Sequence, residues 1–168
     1  MIGLGSLALW FLMGELNHWV APWQISFYLA GLFLTFGFIR LPLQQGLLHT
    51  SAIALWLDAS SPHPLGLGLF LFLFLHLTIY SMRYRFPSDE TSWNVFIAFL
   101  VNLIAFLTLS LWHAGGHPSH SLYWLRCLSD LLASQILLIL LAPWFFALQQ
   151  ALAQIGPWSR RDEAPSLS

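Results

Sequence analysis

The chain contains no lysine, one cysteine and few charges of either sign. Of its 168 residues only 8% are charged, and all six cations are arginine. A soluble domain carries roughly 25% charged residues and could not cover its surface with so few. The net charge of −1 argues against nucleic acid, which would call for a basic stripe. The lone Cys127 excludes an intramolecular disulfide and any multi-cysteine metal site, and it reads as a small apolar filler.

Catalytic motifs are missing as well. There is no metalloprotease HExxH and no phosphate-cradling glycine loop. No serine has glycine on both sides, as an intramembrane serine protease motif would favour. Asp58 has no second acid at matching depth, so a paired-aspartate mechanism is excluded. No catalytic residue, cofactor or metal is expected. The opening "MIGLGSLALWFLMGELNHW" has neither a positive n-region nor a small-x-small cleavage site, and it reads as a retained first helix.

What is present is apolar: 58% of the residues are hydrophobic and 16% are aromatic. That suits a bilayer protein with rings at the lipid–water boundary. The pattern predicts an all-α, polytopic membrane protein of six transmembrane helices. The six apolar segments run over Ile2 to Asn17, Trp23 to Ile39, Leu41 to Leu57, Leu65 to Met82, Trp93 to Trp112 and Leu122 to Gln149, the last interrupted by Pro143. Segments two and three meet at Arg40-Leu41-Pro42, either as a tight hairpin or as one long kinked helix; the second option reduces the count to five. Residues 1–155 form one transmembrane helical domain, and 156–168 read as a short disordered cytoplasmic tail.

Cytoplasmic loops carry the arginine excess. With six crossings, Arg40, Arg83, Arg85, Arg160 and Arg161 fall on one side and only Arg126 on the other. The N- and C-termini are therefore expected in the cytoplasm, with Glu15, Asp58 and the histidine loop facing outward.

Asp58 reads as a polar helix end bonded to turn backbone, with a contact residue or a proton site as the sharper alternatives. His113, His117 and His120, in "HAGGHPSH", form a polar outer loop: no helical face aligns the rings, and no acid stands nearby to complete a zinc shell. His76, amid "LFLFLHLTIY", and Asn102 are expected to bond to neighbouring helices. Arg126 and Asp130 share a helix face and pair locally. Glu15 is the other intramembrane polar residue.

The stretch "LDASSPHPLGLGLFLFLFLHLTIYSMRYRF", Leu57 to Phe86, resembles the rod shape-determining protein MreD family. There an acid ends one helix, a short turn follows, "PLG" opens the next helix, and an arginine-rich aromatic stop comes about twenty residues later. Asp58, Pro64-Leu65-Gly66, and Arg83, Arg85 and Phe86 occupy those places, while Ala54 and Thr50 stand where the family often has glycine. The resemblance implies a fold similar to the S-component of energy-coupling-factor transporters. It also implies a non-enzymatic inner-membrane scaffold of the cell-wall elongation complex. The partners it implies are MreC, MreB and the peptidoglycan synthases, with Asp58, Pro64, Gly66, Arg83 and Arg85 as partner-facing or motif residues. A substrate-binding S-component-like transporter subunit is the competing expectation.

Overall fold

The computed structural model describes residues 2–59, 64–83, 91–115 and 121–155. Arg85, Phe86, His63, His117, His120, Arg160 and Arg161 and the expected tail over 156–168 lie outside them. Among the described residues the chain is all-α. The helices are α1 (Ile2–Val20), α2 (Ala30–Arg40), α3 (Leu43–Ala59), α4 (Leu67–Met82), α5 (Thr91–Ala114) and α6 (Ser121–Ile155), with a single 3-10 turn over Ala21–Trp23. Two of them, α5 and α6, are long and apolar enough to cross a membrane; α2 and α4 are apolar but shorter.

The architecture follows from α2. Every side chain from Leu29 to Ile39 is buried. A helix that is apolar all round belongs in the middle of a bundle. One side of α2, with Leu32, Phe33 and Phe36, packs on Met13 of α1, Ala98 of α5 and Leu138, Ala142, Phe145 and Phe146 of α6. The other side, with Ala30, Leu34 and Phe38, packs on Ala54 of α3, Phe72 and Leu75 of α4 and Val101 and Ala105 of α5. The α3–α4 hairpin therefore lies on one flank of α2 and the α1–α6 pair on the other, with α5 touching both cores. Trp10 of α1 meets Trp56 of α3 edge to face, ring centroids 5.3 Å apart.

The second apolar segment departs from expectation. Its first residues do not form a helix: Ile25 to Leu29 are unwound, and α2 begins only at Ala30. Three of the backbone N–H groups freed there are taken by side chains. Ser26 donates to Asp130 Oδ1 at 2.9 Å, Phe27 to Asn17 Oδ1 at 2.7 Å and Tyr28 to Ser134 Oγ at 2.9 Å. Asn17 Nδ2 returns a bond to the Phe27 carbonyl at 3.0 Å. The arginine beside this network, Arg126, approaches Asp130 only to 4.0 Å. Asp130 thus serves the unwound backbone as well as its expected helical neighbour.

Two other junctions are resolved. Segments two and three are separate helices, because Leu41 is extended (φ −88°, ψ 149°), the conformation that a following proline favours. Pro143 does not interrupt α6, which runs unbroken for 35 residues. Proline removes one backbone bond, to the carbonyl four residues earlier. Here Pro143 and Ile139 both lie on the exposed face of α6.

α2 approaches α5 closely at Gly31, whose N–H donates to Asn102 Oδ1 at 3.2 Å. A methyl at this position would strike the Ala98 carbonyl and stand 2.6 Å from the Asn102 backbone nitrogen. Gly31→Ala is therefore expected to push α2 off α5 and to cost about 1–3 kcal/mol. A clear fall in the thermal unfolding midpoint in detergent checks this; an unchanged midpoint would show that the helices are not this close.

Candidate functional site

The motif singled out in the sequence becomes a built unit at the α3–α4 hairpin. Asp58 stands in the last turn of α3 and is buried, at 3% exposure. Its carboxylate accepts three backbone N–H groups from the start of α4: Oδ2 from Gly66 at 2.8 Å and from Leu69 at 3.1 Å, and Oδ1 from Gly68 at 3.0 Å. The first N–H groups of a helix have no partner inside it. An anion there also meets the positive end of the helix dipole. Asp58 thus caps α4 from eight residues upstream, a task usually done by the N-cap residue itself.

The local sequence makes this geometry available. Gly66 takes a left-handed conformation (φ 103°) at the N-cap of α4, where a side chain would be strained. Gly68 is buried against the carboxylate, and a methyl there would collide with Asp58 Oδ1. Pro64 is exposed and lies three residues before the helix, its carbonyl accepting from Leu67 N–H at 3.3 Å. It begins the turn and leaves the start of α4 to Leu67.

At the other end of α4, Arg83 follows Met82. Its Nη1 reaches the Leu41 carbonyl at 3.5 Å, and its guanidinium lies 4.0 Å from the centroid of the Tyr80 ring. Asp58 and Arg83 thus hold opposite ends of the hairpin: one against the next helix start, the other against the α2–α3 junction. Arg85, the remaining motif residue, lies outside the described residues. The structure does not bring Asp58 and Arg83 together into one site.

The other polar residues fall elsewhere. Fully buried His76 shares a 2.9 Å hydrogen bond between Nδ1 and Thr50 Oγ of α3. Asn102 bonds across to α2, as described above. Glu15 is exposed on α1 and His113 at the end of α5. Among the described residues no three His, Cys, Asp or Glu side chains group as metal ligands would.

Asn17, Ser134 and Gly68 carry structural roles that residue-by-residue reading does not assign. Only Gly68 leaves a local trace, through its spacing from Asp58. Asn17 and Ser134 act on a segment 10 and 106 residues away, which no local pattern can reveal.

Removal of the carboxylate leaves three buried or part-buried N–H groups without an acceptor. Asp58→Ala is therefore expected to destabilise the protein by about 3 kcal/mol, with Asp58→Asn losing less because its amide oxygen still accepts. Amide hydrogen exchange at Gly66, Gly68 and Leu69 should accelerate in the alanine variant while that of α5 does not. Equal protection in the two proteins would remove Asp58 from this role.

Comparison with protein-family models, curated proteins and solved structures finds no match for this chain.

Proposed function

We propose that this chain is a multi-pass membrane protein of six crossings with both termini in the cytoplasm. In this reading it is a non-enzymatic scaffold of the MreD kind in the bacterial inner membrane. It would dock MreC and through it join the cell-wall elongation assembly that includes MreB and the peptidoglycan synthases. The observation that carries the reading is the hairpin clasp: the acid, turn and "PLG" of the motif form one hydrogen-bonded unit around Asp58.

Two further observations support it. Arg83 reaches the carbonyl of Leu41, so Arg83 and the last residue of α2, Arg40, share one end of the bundle. Arg126 belongs with the Asp130 network at the opposite end. This is the asymmetry that the positive-inside rule describes. The exterior is apolar too: Phe70, Phe74 and Leu77 point outward along one face of α4, at 76%, 60% and 52% exposure. They form a lateral stripe that suits lipid or a partner helix, and Leu65, in the turn before α4, is exposed as well. In this reading the stripe receives the transmembrane helix of the partner, and the two ends of the hairpin fix its position.

The competing role, an S-component-like transporter subunit, draws on the unwound segment at the start of α2, since broken helices often line substrate sites in transporters. Here Asn17, Asp130 and Ser134 are engaged by the backbone of that segment, which leaves fewer side chains to meet a solute.

Depletion in the native host separates the two. The scaffold reading expects rods to widen and round, and it expects MreC to co-purify with the solubilised protein. Phe70→Ala/Phe74→Ala should reduce that recovery several-fold without lowering the thermal midpoint. Normal rods after complete loss, with a growth defect only when a vitamin is scarce, would overturn the scaffold and favour the transporter subunit.

A further inference from the structure

Where α2, α3 and α4 cross near the Arg83 end, polar atoms converge that the packing leaves without protein partners. His76 is fully buried, and its Nδ1 is engaged by Thr50. Its Nε2 has no protein donor or acceptor within reach. Both ring nitrogens of His49, on α3, are likewise buried and without a partner. The two imidazoles flank one crossing of glycines. A methyl on Gly37 of α2 would stand 2.9 Å from His49 Nδ1. A methyl on Gly46 of α3 would stand 3.0 Å from His76 Nε2 and 2.8 Å from the Gly37 carbonyl. His76 Nε2 and the Gly37 oxygen therefore both lie close to Gly46, and His49 Nδ1 lies close to Gly37.

We propose that this crossing is a buried hydration site, in which water bridges His76, His49 and the Gly37 carbonyl inside the bundle. The chemistry favours water over a metal ion. Two imidazoles fall short of a tetrahedral ligand shell, and α2 and α5 offer no acid to balance a divalent charge: their only ionisable residues are Arg40, a cation one turn beyond Gly37, and His113, at the far end of α5. α3 carries Asp58, but two turns away and bonded to α4. α4 adds Tyr80, stacked on His76 with ring centroids 6.1 Å apart, and Arg83. A buried water needs two to four polar partners, and this set supplies them. With Thr50 donating to Nδ1, His76 Nε2 carries the proton and donates to the water. The water in turn donates to the Gly37 oxygen and to His49. Supply is short, since His76 lies seven residues, about 10 Å along α4, from Arg83 and the end of the bundle. Phe38 closes the site from α2, edge to face with His76 at 4.9 Å.

The test is water-edited solid-state NMR on the full chain, labelled with 15N and reconstituted in phosphatidylcholine vesicles. The expected result is polarisation transfer from water to the imidazoles of His76 and His49, reaching them nearly as early as the exposed His113. Gly46→Ala, which drives a methyl against the His76 ring, should abolish the transfer to His76 and leave that to His113 unchanged. Transfer to His76 as late as that to the amides of Val101 and Ala105 in the dry core would overturn the proposal. This contrast is read within the wild type, so it decides the matter even where the Gly46 variant does not fold.

Discussion

A backbone N–H that leaves a helix and stays buried must find an acceptor among side chains, or it costs several kcal/mol. This constraint orders the whole molecule. The chain breaks its helices at the start of α2 and before α4, and at both places buried or part-buried N–H groups meet a planned acceptor. Asp130, Asn17 and Ser134 attend the first break, and Asp58 alone attends the second. With charges scarce throughout, the two acids among these four are spent on backbone. That gives a structural reason for the position of each, and it leaves the apolar packing around α2 free to be made of Leu, Phe and Ala.

The apolar runs in the sequence located the helices well because run length and burial are linked: a stretch of fifteen or more apolar residues in a chain this poor in charge has few other forms. The boundaries at α3, α4 and α5 agree with the expected segments to within about two residues. The unwound stretch over Ile25–Leu29 was not legible. Its residues are as apolar as those of α2, and what unwinds it is a set of acceptors on α1 and α6. Pro143 misled in the other direction. Proline marks a lost hydrogen bond, but one missing bond in a helix of 35 residues does not end it.

The candidate site was legible as a pattern and not as a mechanism. Asp58, Pro64 and Gly66 stand out by spacing, yet spacing alone leaves open whether the acid faces a partner, a proton or its own backbone. Three donors within 3.1 Å assign it to the backbone. On that footing the motif is best understood as what sets the angle and register of the α3–α4 hairpin. Any recognition then falls to the apolar faces that the hairpin displays. Arg83 shows the same logic at the opposite end, where Tyr80 and Leu41 take up its guanidinium.

The Asp130 and Ser134 bonds to Ser26 and Tyr28 bridge 104 and 106 residues. Synthesis proceeds from the N-terminus, so the ribosome releases the start of α2 long before it makes the helix that completes it. Until α6 emerges, two of those early amides must borrow other acceptors, such as water. α6 is thus the closing stitch of this break, and a chain cut short of it would present an unfinished seam to quality-control proteases.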